Sequence, residues 1–230
     1  MLAMIRSAFV DAVPLMRSRA LPYVAMAVLC AVAGALLPVL TTEVSDARAV
    51  TQVPWLQFDL DIMVAICVLA VFFVYPNVAR SARSEFRMTV GRFFGIIGIS
   101  LAVCVESVLG FAAFIIAGFW ITVKWSLSVW TYLLTEGKNP LNESWQLTNG
   151  QFWETFGFSL LLGFTAGVPM VVGILGVLGN AGAQPLVGIV LRPIAFLIYV
   201  YALHVYLLGQ MHWMLRLRNR ALYVSVGATA

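Results

Sequence analysis

Four residues have the types and the surroundings to do chemistry inside a strongly apolar chain: Glu106, Lys124, Arg192 and His204. Each falls in or beside a run of apolar residues, where an unpaired charge costs about 2.5–3.5 kcal/mol on insertion scales. Glu106 sits midway along its run, so either a base compensates it or its carboxyl is neutral and bonded to Ser or Thr. Lys124 and Arg192 are the available bases. Two chemistries follow. One is an interhelical staple, since buried charges pair; the other is a polar cavity that carries a proton or small ion. His204 and His212 are separated by about two helical turns and share a face; His204 reads as a hydrogen-bonded packing residue or as a relay. Cys30, Cys67 and Cys104 lie in separate apolar runs at no metal-ligand spacing and read as small packing residues. Nucleophile-elbow, zinc-protease, phosphate-loop and cysteine-pair motifs are absent. The expectation is therefore no catalytic residue, no cofactor and no metal.

The elements that must hold these residues are membrane helices. Of 230 residues, 62% are hydrophobic and 10% charged, against about 25% charged in a soluble domain. A bilayer accepts such a chain only if every backbone N–H and C=O is bonded within its own helix or a closed barrel. The expected fold is all-α: a polytopic integral membrane bundle of about six transmembrane helices, forming a single domain over 1–230. The apolar runs place spans at about 21–40, 62–79, 93–118, 120–135, 156–179 and 186–215. The run 120–135 is short, holds Lys124, and carries Trp120, Trp125 and Trp130, which equally suit an interface. Parity favours its crossing, because Arg216, Arg218 and Arg220 then share a side with Arg80, Arg83, Arg87 and Arg92. That side also holds Arg6, Arg17, Arg19 and Lys138, whereas Arg48 falls opposite. The positive-inside rule makes it cytoplasmic, with both termini, in a cell membrane.

Before the first span, 1–19 places Leu2, Ile5, Phe9, Val13 and Met16 at helical spacing, with Arg6, Ser7, Asp11 and Arg17 opposed; this reads as a helix lying on the membrane. The run Leu21 to Leu40 is longer than a signal-peptide core, so it is expected to be retained as a span. Gly163 and Gly167 form a small-x-x-x-small pair, and Gly173, Gly176, Gly179 and Gly182 recur every third residue; close helix contact is expected of them, with a glycine-lined pathway near Pro169 and Pro193 as the functional variant.

The connector before 156 carries the most information. Asn139 can cap a helix, Pro140 suits its first position, and Leu141, Trp145 and Thr148 recur on one face. Asn142, Glu143, Gln146 and Asn149 turn away, until Gly150 can end the helix. The expectation is a cytoplasmic amphipathic helix over 139–149. An acidic residue and Gly, a spacer, Pro, and then a Ser-Trp-x-Leu-Thr-x-Gly-x-Phe-Trp string are matched by Glu136, Gly137, Pro140, Ser144, Trp145, Leu147, Thr148, Gly150, Phe152 and Trp153. With the single base Lys124 and the Asp11-Ala12 pair, this resembles the membrane domain joined to some glycerophosphoryl diester phosphodiesterases and its stand-alone relatives of unknown function. Where that family often has bases before Ser-Trp and after Leu-Thr, this chain has Glu143 and Asn149. The resemblance implies a membrane fold and no reaction, since the spans leave no room for a catalytic domain.

The basic residues sit in clusters beside apolar runs, which excludes a nucleic-acid face. Expected partners are membrane lipids and a membrane or cytoplasmic protein. The expected function is a non-enzymatic lipid- or partner-interacting membrane module. The alternative is a small-solute, ion or lipid transporter or channel using Glu106, Lys124, Arg192 and His204, and an integral-membrane lipid enzyme stays open as a third class.

Overall fold

The computed structural model describes residues 1–45, 52–135, 139–179 and 185–227. Among the described residues there is no strand. The helices are α1 (Leu2–Ser18), α2 (Ala20–Ser45), α3 (Gln52–Ala82), α4 (Val90–Ala113), α5 (Ile115–Trp125), α6 (Ser128–Thr135), α7 (Pro140–Thr148), α8 (Phe152–Leu162), α9 (Val168–Gly179) and α10 (Pro185–Gly227), with a π-helical turn, Gly163–Gly167, joining α8 to α9.

Four stretches are long and apolar enough to cross a membrane: Asp61–Ala82, Val90–Ala112, Phe152–Leu178 and Ile189–Leu222. A fifth crossing arises if α1 and α2 up to Ala33, bent by 83°, form one broken span. That bend falls at Arg19, where the sequence divides a surface helix from the first span. The contact face of α1 differs from the expected stripe. Ile5, Ala8 and Ala12 are buried, whereas Leu2 and Val13 are exposed. Small alanines let this helix approach its neighbours closely, which the larger residues could not do.

Two expected spans take another form. The run 93–118 does not continue to 118. Helix α4, capped by Thr89, whose hydroxyl accepts from Arg92 N–H at 3.3 Å, stops at Ala113. Phe114 is extended at φ −156° and ψ 131° and turns the chain. The run 120–135 is not one helix: it belongs to a return arm made of α5 and α6, broken at Ser126 and Leu127, and neither piece has the length of a span. The arm nevertheless runs antiparallel beside α4. A Cβ on Gly110 would lie 3.0 Å from the Gly118 backbone, the Thr122 hydroxyl donates to the Gly118 carbonyl at 2.8 Å and meets the Ser107 hydroxyl at 3.1 Å, and Gly95 makes room for the Tyr132 ring. Glycine is needed at 110 because the two backbones approach there with no space for a side chain.

The chain forms two compact units. The first comprises Met1–Phe9, Val78–Gly163 and Tyr206–Ala230. Besides the α4 hairpin it contains the contact of α8 with the C-terminal part of α10. Trp213 is fully buried, stacks on Phe158 at 4.7 Å and donates through its indole N–H to the Thr155 hydroxyl at 3.2 Å. Arg220 closes this contact at the surface, bonding Glu154 at 2.9 Å and Gln151 at 3.1 Å. The second unit comprises Val10–Asn77 and Phe164–Val205. In it Tyr199 donates to the Cys67 carbonyl at 3.2 Å, and α9 approaches α10 at Gly173, where an added Cβ would meet the Tyr199 backbone at 2.7 Å. Gly176 likewise faces Ala195. The expected close contact at Gly163 and Gly167 is not made: a side chain at either would meet nothing within 4 Å. Both belong to the π turn, whose changed helical phase moves them off the face that a regular four-residue spacing implies.

Candidate functional site

In the first unit the return arm and α7 build a site around Lys124. α5 ends at Trp125, and the last carbonyls of a helix need new donors. The Lys124 carbonyl takes one from the Ser144 hydroxyl of α7 at 2.8 Å. Thr148 also lies near it, at 3.4 Å, but its single proton is better placed on its own Ser144 carbonyl at 2.9 Å. Ser144 is therefore the principal cap of the break. A second tie joins α7 to α6: the Thr131 hydroxyl lies 2.9 Å from the Pro140 carbonyl, and the Thr135 hydroxyl, shared with the Thr131 carbonyl, lies 2.7 Å from a Glu143 carboxylate oxygen.

The Lys124 side chain, 1% exposed, is held by aromatic faces. Its ammonium lies 5.3 Å from the Trp120 ring and 5.1 Å from the Trp145 ring, and donates to Asn149 Oδ1 at 3.3 Å. Trp120 is itself backed by Phe152, stacked at 4.2 Å. The negative face of an indole attracts a cation by about 0.5–1 kcal/mol when exposed and about 2 when desolvated, so two faces and an amide can hold this charge without a carboxylate.

Helix α7 forms as its local signals require. The Asn139 side chain accepts from Asn142 N–H, Pro140 occupies the first turn, and Gly150 takes φ 76°, a conformation that favours glycine. Its buried face is Ser144 and Thr148, with Leu141 and Trp145 half-buried and Asn142, Gln146 and Asn149 exposed. Glu143 departs from expectation. It is half-buried and bonded to Thr135 rather than turned away. Of the motif residues, Ser144, Trp145 and Thr148 converge on Lys124, Phe152 supports Trp120, Leu147 is half-buried, and Trp153 stands 77% exposed. Glu136 and Gly137 lie outside the described residues, as do Lys138, Arg48 and Gly182.

Glu106 and Lys124 belong to the first unit, Arg192 and His204 to the second. Glu106 is exposed on α4 and has no hydrogen-bond or ion-pair partner among the described residues, so the anticipated staple to Lys124 is absent from them. Arg192 is buried. His204 is fully buried in a polar cluster that charge counting missed. Its Nδ1 donates to the Val200 carbonyl at 2.8 Å, which leaves the single Nε2 lone pair to accept from Tyr23 at 3.2 Å, with the Asn77 amide nitrogen farther off at 3.4 Å. Asn77 also donates to the Leu15 carbonyl at 2.9 Å. This cluster ties α1, α2, α3 and α10 together, as a packing histidine would.

Lys124→Met tests the assignment, since it keeps the stem and removes the charge. Loss of the indole contacts is expected to cost about 0.5–2 kcal/mol in detergent unfolding. A loss of about 3–5 kcal/mol, the cost of breaking a buried ion pair, would contradict it.

These features define an all-α protein with helices long and apolar enough to cross a membrane, and a caged lysine at the break of one helical arm. Comparison with protein-family models, with characterised proteins and with solved structures finds no match to this chain.

Proposed function

We propose that the chain is a non-enzymatic module of the cell membrane, with both termini cytoplasmic, whose helix α7 forms a rigid platform among lipid headgroups. The observation that carries this reading is the fixing of α7 from one side only. Ser144, Trp145 and the Asn149 side chain bind it to Lys124, while Asn142 and Gln146 are exposed. The exposed Trp153 and the stacked Trp120 and Phe152 suit the membrane–water boundary, where amphipathic rings concentrate. Arg216, Arg218 and Arg220, with Arg80 to Arg92, supply the basic flanks expected on the cytoplasmic side. The likeness to the phosphodiesterase-linked membrane domain is in keeping with a module that carries no reaction of its own.

A transporter needs its charges to converge. Lys124 is occupied by two indoles and an amide, and Glu106 lies apart on an exposed face. The test is the depth of α7. A nitroxide on a cysteine replacing Gln146 should report the headgroup region in reconstituted vesicles, by relaxation from both an aqueous and a lipid-soluble reagent. A position in bulk water or among acyl chains would overturn the proposal. Solute or proton flux in liposomes that is lost on Glu106→Gln together with Lys124→Met would restore the transporter.

A further inference from the structure

We propose that the groove between α7 and the C-terminal part of α10 binds a zwitterionic phosphate-and-amine headgroup, the chemistry of phosphatidylethanolamine. The inference rests on the reading of α7 as a headgroup-level platform, and names the class of headgroup.

The groove has a volume of about 500 Å³ and is lined by Glu143, Gln146, Leu147 and Asn149 on one side and Leu217 and Arg220 on the other. A ligand pocket typically measures about 300–1,000 Å³, so it has room for a headgroup and the first part of its glycerol. Its two charges have opposite sign and come from different helices. Glu143 spends one carboxylate oxygen on Thr135 and keeps the other. Arg220 uses Nη1 for Gln151 and Glu154, which orients the guanidinium while its remaining N–H groups stay available for a phosphate. The fork of Arg suits phosphate better than a lysine would.

The charges also select. Glu143 and Arg220 set one charge of each sign in the groove wall, so a headgroup with both an ammonium and a phosphate is matched at both ends, whereas a headgroup carrying only a negative charge leaves Glu143 without a counter-charge. A primary ammonium can donate to Glu143 and to the side-chain carbonyl of Gln146; a trimethylammonium has no N–H to give. Leu147 and Leu217 provide an apolar wall beside these polar groups, as a lipid needs and a free ion does not.

The test uses the full chain, delipidated in detergent and offered phosphatidylethanolamine, phosphatidylcholine and phosphatidylglycerol in equal amounts, with retained lipid counted by mass spectrometry of the intact complex. The expected result is about tenfold enrichment of phosphatidylethanolamine, as one or two charge-assisted bonds would confer. Glu143→Gln and Arg220→Gln, each measured below its own unfolding midpoint because each also loses a structural contact, should abolish it, and Arg6→Gln, on the exposed side of α1, should leave it intact. Equal retention of the three lipids, or enrichment that survives both groove substitutions, overturns the proposal. Adding free phosphoethanolamine distinguishes sources: displacement of the lipid means the site takes the soluble zwitterion as well, and its failure to displace assigns the site to lipid. If the residue-146 label reports headgroup depth and no selectivity is found, this inference alone fails; if it reports another depth, the platform reading fails with it.

Discussion

Ser144→Ala is expected to destabilise the protein by about 1–3 kcal/mol, the cost of leaving a buried acceptor unsatisfied. The acceptor is the Lys124 carbonyl, at the end of α5, and its donor is the Ser144 hydroxyl at 2.8 Å. Both residues are buried, at 1% and 0% exposure, so water cannot readily take the hydroxyl's place. Thr148→Val should cost less, although Thr148 is equally buried, because its 3.4 Å approach to Lys124 competes with a 2.9 Å bond to its own helix. The order of the two is the sensitive part of the prediction. Unfolding by denaturing detergent would show it, and a Thr148 variant weaker than the Ser144 variant would mean that the break is capped in another way. Loss of the Ser144 cap should also loosen Trp145 over the ammonium, so tryptophan fluorescence should shift to the red in Ser144→Ala and remain near the parent in Thr148→Val.

The same pair of residues illustrates what could be read in advance. Helix α7 was legible because its determinants are local: a capping Asn139, a first-turn Pro140 and a terminating Gly150 lie within a dozen residues. The break in the return arm was not legible. Neither Ser126 nor Leu127 is Gly or Pro, and the partner that satisfies the carbonyl at the break is a hydroxyl twenty residues away in the chain. Lys124 was read as a base available to compensate Glu106; its ammonium lies against indole faces instead. Pairing by formal charge overlooks a quadrupole, although the signal was present in Trp120, one turn before Lys124, and in Trp145 of the α7 motif. The His204 cluster was harder still. Tyr23, Asn77 and His204 lie on three helices far apart in sequence, and no spacing rule connects them. The long apolar helices themselves were the most legible feature, since composition and run length decide them without reference to tertiary contacts.

The glycines separate a sequence pattern from a packing contact, and Gly173→Leu should have the largest effect of any substitution considered. An added Cβ at 173 would lie 2.7 Å from the Tyr199 amide nitrogen and 2.8 Å from its Cα. Backbone atoms cannot rotate aside as the end of a side chain can, so α9 and α10 must move apart along that contact. Overpacking costs about 1–3 kcal/mol where side chains can adjust; with backbone opposed, at least about 3 kcal/mol is expected, and failure to accumulate in the membrane is the extreme form of the same outcome. This cost does not depend on a hydrophobic driving force, which is weak between helices in lipid, and so it should persist in bilayers and micelles alike. Gly167→Leu is the matched control. Nothing lies within 4 Å of its added Cβ, so it should change stability by less than about 0.5 kcal/mol, as substitutions away from packed features do. The small-x-x-x-small pattern alone implies the reverse order, with Gly163 and Gly167 the intolerant pair. Stability of the two leucine variants, measured side by side in one detergent, decides between contact and pattern: equal tolerance at 173 and 167 would mean that the close approach of α9 to α10 is not made in the folded protein.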